Sequence, residues 1–191
     1  MTTVYFIRHA EANSCIQDPF SRPLTEKGIR DRSLVTDFLS DKKIDLAFSS
    51  PYRRAIETIS DFTEKNGIPI KIIEDFREHE TISDNYCDAD YFPFIQKYWE
   101  NKNYKVPGDE SIGDLQKRNI LALEKILKEY KNKNIIIATH GMALSSILNY
   151  YDPSYNYYSF LAMVKMKPWI VAMTFDDFVN INIEYINSFV K

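Results

Sequence analysis

Two short apolar runs, Val4-Tyr5-Phe6-Ile7 and Ile135-Ile136-Ile137-Ala138, are continuous where a half-exposed strand would alternate. That is the pattern of central strands covered on both faces. Residues 45–49, 70–74, 169–175 and 179–185 read as further strands, with Asp176-Asp177 as a hairpin turn between the last two. Helical patterns lie between them. Thr25 is a good N-cap followed by Glu26, with Ile29, Leu34, Phe38 and Leu39 as a rough apolar face. Residues 53–65 form a second helix, closed by Asn66-Gly67 ahead of Pro69. Residues 111–130 give the clearest helical spacing, through Leu115, Ile120, Leu123, Ile126 and Leu127, and residues 142–150 a fourth helix. Strands alternating with helices predict an α/β fold, a three-layer α/β/α sandwich around a mainly parallel central sheet.

Two stretches interrupt this rhythm. Residues 79–107 mix Tyr86, Tyr91, Phe92, Phe94, Tyr98 and Trp99 with acids, and only 92–100 suggests a helix. We read them as a small inserted segment over one end of the sheet, either a substrate-facing lid or core packing. The tyrosine-rich residues 150–158, around Pro153, read either as loop packing or as an interaction surface.

Composition narrows the classes of function. A length of 191 residues suits one domain, 1–191, with the insertion at about 79–107. Hydrophobic residues make up 45% and charged residues 27%, as in ordinary globular proteins. The formal net charge of −3 gives no general affinity for nucleic acid or an anionic membrane, so a bound anion needs a local cluster of positive charge. Cys15 and Cys87 lie far apart without CxxC spacing, which signals neither a zinc site nor a disulfide scaffold, and they read as inert. The N-terminus lacks the pattern of a signal peptide. No apolar run approaches the roughly 18–20 residues that span a bilayer. A cytoplasmic location is expected; oligomeric state is left open.

The candidate chemistry sits at strand ends. In open α/β sheets, ligands bind beyond the carboxyl ends of the strands. The first strong strand runs into Arg8-His9-Ala10-Glu11 and the second into Thr139-His140-Gly141. The chain has three histidines, and two of them occupy equivalent strand ends. If the strands are parallel neighbours, the two imidazoles meet.

Arg8-His9-Ala10-Glu11 resembles the signature of the histidine phosphatase superfamily, the phosphoglycerate mutase-like proteins. Further segments fall in that family's order: Pro23-Leu24-Thr25-Glu26-Lys27-Gly28, Ser49-Ser50-Pro51-Tyr52-Arg53-Arg54-Ala55, Phe76-Arg77-Glu78 and Ala138-Thr139-His140-Gly141. Gly108-Asp109-Glu110-Ser111 opens the long helix as a Gly-Glu-Ser segment does in many members. The resemblance spans about residues 4–150.

The resemblance implies a metal-independent enzyme without cofactor, acting on a small phosphorylated substrate. His9 would attack phosphorus and become phosphohistidine. A backbone carbonyl should hold its other ring nitrogen. Arg8, Arg54 and His140 would surround the phosphoryl group, matching its charge and geometry. Arg54 is preferred to Arg53 because the family's arginine directly precedes alanine. Glu78 would protonate the leaving oxygen and then take a proton from the acceptor, with Glu74 and Glu80 as competitors. His79 beside it reads as a surface or rim residue. Residues 25–28 read as a helix cap and entry turn, and Ser50-Pro51 as the start of the helix presenting Arg54.

The mutase branch carries an asparagine several residues after the histidine. Here Cys15 stands near that place, and Asn13 would contact phosphate from a shifted loop. Ala10 replaces a commoner glycine, and there is no counterpart of that branch's Gly-Trp segment. These departures favour a histidine acid phosphatase-like phosphomonoesterase. A phosphoglycerate-type mutase is the alternative, and a non-catalytic binding protein that keeps the fold is a third reading.

Overall fold

A computed structural model of the chain describes residues 1–79 and 88–186. Glu80, Tyr86 and Cys87 lie outside these residues. Six strands form one sheet: β1 (Thr2–Arg8), β2 (Leu46–Ser49), β3 (Ile70–Ile72), β4 (Asn134–Thr139), β5 (Trp169–Asp176) and β6 (Val179–Ile186). Their order is β3-β2-β4-β1-β5-β6. The first four run parallel, β5 is antiparallel to β1, and β6 is antiparallel to β5. Asp177, with a φ of 50°, lies in the turn between β5 and β6.

Alternate residues of the central strands feed two separate cores. Val4, Phe6, Ile135 and Ile137 join one cluster, Ile7, Ile136 and Ala138 the other. The second core is closed by α1 (Glu26–Leu39) and α2 (Arg53–Lys65). The first is closed by α3 (Asp88–Glu100), α4 (Ile112–Glu129), α5 (Gly141–Tyr151) and α6 (Tyr157–Val164). The strands are continuously apolar because both faces are buried, and the result is the expected three-layer α/β/α sandwich. Each fully buried aliphatic side chain, such as Leu115 or Leu123, contributes about 1.5–3 kcal/mol. No helix among the described residues is long and apolar enough to cross a membrane.

Several local readings change. The buried positions of α1 are Gly28, Val35 and Leu39, whereas Ile29 is 48% exposed. Gly28 is forced by close approach: a Cβ there would lie 2.1 Å from the Glu11 carbonyl oxygen. That contact, with the Thr25 hydroxyl accepting from the Gly28 amide at 3.0 Å, holds the start of α1 against the loop after β1. Helix α2 begins at Arg53, with Tyr52 as its N-cap. Ser50 and Pro51 are therefore a turn before the helix and do not start it. Residues 73–76 leave the sheet, and Glu74–Phe76 forms one 3₁₀ turn.

The tyrosine-rich stretch is neither all loop nor all surface. Asn156 and Ser159 form a capping box that starts α6. Tyr155 is buried with its hydroxyl 3.2 Å from that of Ser145, while Tyr150 and Tyr158 face outward. Within the insertion, the described helix α3 packs inward through Ile95 and Tyr98, both 0% exposed.

Candidate active site

Strands β1 and β4 are parallel neighbours, with Arg8 opposite Thr139. The residues that follow, His9 and His140, are consequently brought side by side, their ring centroids 5.3 Å apart. The His9 amide donates to the Thr139 carbonyl at 3.1 Å, which holds the two strand ends together. His9 is 8% exposed and His140 fully buried.

The His9 ring is held from one side. Its Nδ1 lies 2.7 Å from the Ala10 carbonyl oxygen. Because a carbonyl only accepts, the proton sits on Nδ1 and Nε2 keeps its lone pair. Burial, followed by the charges of Arg54 and Arg8, pushes the imidazole far below the ordinary histidine range. His9 is therefore neutral near pH 7, with a free nitrogen lone pair. Thr58 of α2 supports this turn, accepting from the Ala10 amide at 3.0 Å and donating to the Arg54 carbonyl at 2.7 Å.

Arg8 and Arg54 are almost fully buried, at 6% and 5% exposed. Burying a guanidinium costs several kcal/mol unless its hydrogen bonds are replaced. Arg8 Nη1 donates to the carbonyls of Met163, Val164 and Met166, at 2.9, 2.9 and 3.1 Å. These lie at the carboxyl end of α6, where helix carbonyls lack intrahelical partners. Arg8 Nε is buried and has no hydrogen-bond partner among the described residues; it lies beside Gly141, whose absent side chain leaves room for the guanidinium. Burial lowers the Arg8 pKa to about 10, which leaves it a cation at neutral pH. Arg54, in the first turn of α2, donates to the Pro19 carbonyl at 2.7 Å and lies over the Tyr52 ring at 4.8 Å. Arg53 points to solvent and pairs with Glu57 at 2.6 Å.

His140, unlike the two arginines, brings no charge. Burial and then the Arg54 charge drive its pKa far below the ordinary range, so it enters as a neutral ring. Its Nε2 lies 2.7 Å from the Ser50 hydroxyl, and its buried Nδ1 has no hydrogen-bond partner among the described residues. Ser50 also accepts from the Tyr52 amide at 3.2 Å, which ties the entry of α2 to the second histidine.

Glu78 comes to the same end of the sheet. Its carboxylate accepts from the backbone amides of Met142 and Ala143 in the first turn of α5, at 3.2 and 3.0 Å, and from the His79 amide at 2.9 Å. Arg118 of α4 fixes the backbone beneath it, donating to the Arg77 and Glu78 carbonyls at 3.0 Å each. Arg118 is itself held by Glu110 at 2.6 Å. Thr139 donates to the Phe76 carbonyl at 3.0 Å. Glu74 receives no such placement and is exposed. His79 is a correction: it is 6% exposed rather than a rim residue, with Nε2 bonded to the Glu110 carbonyl at 2.6 Å. Asn13 is less integrated. Its Oδ1 accepts from the Cys15 amide at 3.0 Å, closing a local turn, and no bond among the described residues joins it to the other candidates.

The described geometry unites two neutral histidines, two buried cations and a carboxylate at the carboxyl ends of parallel strands. Residues 4–157 match the model of the histidine phosphatase superfamily, branch 1. The chain belongs to that superfamily. A Bacillus subtilis relative named "Uncharacterized phosphatase PhoE" is 28% identical over 152 residues, covering 78% of this chain and 76% of its own. A Yersinia pestis relative named "Probable phosphoglycerate mutase GpmB" is 26% identical over 159 residues, covering 78% of this chain and 74% of its own. Among solved structures, the Entamoeba histolytica phosphoserine phosphatase in complex with 3-phosphoglyceric acid superposes with a TM-score of 0.79. It is 20% identical and covers 100% of both chains, so this likeness concerns the fold.

Sequence reasoning missed three contributors to this superfamily site: Ser50 as the partner of His140, the α6 carbonyls that hold Arg8, and Arg118 beneath Glu78. The sequence did carry a signal for α6, since Asn156 and Ser159 have capping-box spacing ahead of an apolar run.

Proposed function

We propose that this protein is a metal-independent phosphomonoesterase that works through a phosphohistidine on His9. The observation that supports this best is the His9 ring, with Nδ1 bonded to the Ala10 carbonyl and Nε2 free beside buried Arg8 and Arg54. A phosphate ester resists nucleophiles through its own negative charge, and two fixed cations offset that charge without reorganisation. The Nε2 lone pair attacks phosphorus as the bond to the leaving oxygen breaks, and Glu78 supplies the proton that makes the leaving group an alcohol. Water then attacks the phosphohistidine, Glu78 takes its proton, and the P–N bond breaks to release inorganic phosphate and neutral His9. His140 acts as a neutral ring that donates a hydrogen bond to a phosphoryl oxygen. Asn13 remains a proposed phosphate contact through its amide nitrogen.

A mutase shares the first half-reaction but returns the phosphoryl group to a hydroxyl of the bound substrate. The name of the Yersinia relative supports keeping that second reading. The test uses chelator-treated protein on phosphomonoesters that include 3-phosphoglycerate, with released phosphate and rearranged product followed together. Phosphate release lost in His9→Ala supports the phosphatase. Rearrangement without release supports the mutase, and full activity in His9→Ala would sink the covalent mechanism. A melting-temperature rise with vanadate but no turnover would favour the binding-protein reading.

A further inference from the structure

The half-buried Glu78 is held through the residue that follows it. The His79 amide is one of three donors to the Glu78 carboxylate, at 2.9 Å. The His79 side chain reaches the other way, with Nε2 at 2.6 Å from the Glu110 carbonyl. A carbonyl only accepts, so Nε2 carries the proton and the ring donates to Glu110. Glu110 acts a second time through its carboxylate, which accepts from Arg118 Nε and Nη2 at 2.6 and 2.8 Å. Arg118 in turn donates to the Glu78 carbonyl at 3.0 Å. The Glu78–His79 peptide is thus fixed at its carbonyl through Arg118 and beyond its N–H through the imidazole. Both routes lead to Glu110.

The insertion completes this clamp. Tyr98 of α3 is fully buried, with its ring edge-on to the imidazole at 5.3 Å between centroids. Its hydroxyl donates to Asp109, the neighbour of Glu110. In so close a packing the imidazole cannot turn unless Tyr98 shifts. The choice of histidine here carries a penalty. Its Nδ1 is buried and has no hydrogen-bond partner among the described residues, whereas an apolar side chain of similar size would leave no such orphan. What the apolar side chain could not supply is the donor to Glu110.

We infer that His79 is a positioning residue for Glu78. Its ring anchors the Glu78 carboxylate to Glu110, so the insertion and the segment leading into α4 set where the proton donor stands. The inference rests on the phosphatase reading, with Glu78 as its acid.

The test compares p-nitrophenyl phosphate with phenyl phosphate, which share a ring and differ in how basic the departing oxygen is. The ratio of the two kcat values does not depend on how much of a preparation is folded. His79→Leu should lower kcat on phenyl phosphate about tenfold, part of the 10²–10⁴-fold that a positioned acid supplies, with KM and the p-nitrophenyl phosphate rate within about twofold. His79→Gln, whose amide can donate to the Glu110 carbonyl, should restore most of the ratio. In a Glu78→Gln background, His79→Leu should leave the ratio unchanged, because the two residues act as one unit. An unchanged ratio in His79→Leu, equal losses on both substrates, no rescue by glutamine, or a full effect in the Glu78→Gln background each overturns the assignment while leaving the phosphatase reading intact. Absence of His9-dependent p-nitrophenyl phosphate hydrolysis removes the phosphatase reading and this inference with it.

Discussion

Ser50 and His140 meet across the ends of neighbouring strands, with the Ser50 hydroxyl 2.7 Å from His140 Nε2. The Ser50 amide also donates to the Ala138 carbonyl at 2.9 Å, so β2 and β4 deliver both residues to one point. In Ser50→Ala, both ring nitrogens of a fully buried histidine would lack protein partners. An orphaned buried polar group costs about 1–3 kcal/mol. We expect kcat/KM on p-nitrophenyl phosphate to fall about tenfold. An unchanged value would show that the ring is positioned without Ser50.

The two adjacent arginines should behave in opposite ways. Arg54 is buried, with its charge acting on both histidines, whereas Arg53 is exposed in an i,i+4 pair with Glu57. Arg53→Ala should change stability by less than about 1 kcal/mol, as for other exposed pairs. Arg54→Lys should lower kcat/KM by about 100-fold, comparable to losing one preorganised charge-stabilising donor. Steady-state kinetics and a melting curve on both variants would decide it. Equal effects would remove the assignment to Arg54.

Glu78→Gln keeps much of the shape of Glu78 but loses the exchangeable proton. Its effect should depend on the leaving group: small for p-nitrophenyl phosphate and about 10²–10⁴-fold for an alkyl phosphate. Equal losses on both would mean that Glu78 serves only to hold the first turn of α5.

Stability should fall as the medium becomes acidic. His9 and His140 have folded pKa values far below the ordinary histidine value near 6.5. Below that value the unfolded chain binds protons that the folded chain refuses, so acid favours unfolding. The contribution of each ring to stability is therefore complete above about pH 6.5. It is lost as pH falls below that point, at up to about 1.4 kcal/mol per pH unit until the folded ring itself titrates. Denaturant titrations between pH 7.5 and 5 should show this slope, and it should be shallower in His140→Asn. Identical slopes would show that His140 does not resist protonation.

Gly28→Ala should destabilise the protein although alanine is the better helix former. The new Cβ would stand 2.1 Å from the Glu11 carbonyl oxygen, so either α1 or the loop after His9 must move. Forced overpacking of this kind costs about 1–3 kcal/mol. For a chain of this size that corresponds to a melting-temperature loss of about 2–4 °C per kcal/mol. A stabilised variant would mean that the α1 entry is not held against that loop.

The sequence alone determined the layers, the continuous central strands and the placing of Arg8-His9 and His140 at equivalent strand ends; that the two strands are neighbours came from the fold. The first three are local consequences of apolar periodicity and of motifs placed directly after strands. The sequence also specified the cap at Thr25, whose side chain accepts a backbone hydrogen bond as an N-cap. The tertiary structure decided what depends on residues distant in sequence. Arg8 is held by carbonyls 155 to 158 residues away, and His140 by a hydroxyl 90 residues away. The same is true of His79. Its polar side chain suggested a rim, but the Glu110 carbonyl satisfies Nε2 and Tyr98 packs against the ring, so burial becomes affordable. Local pattern specifies which residues can form an element and which face it buries. Which distant donor or cation completes a buried site depends on how the layers dock, and that is decided only when the whole core closes.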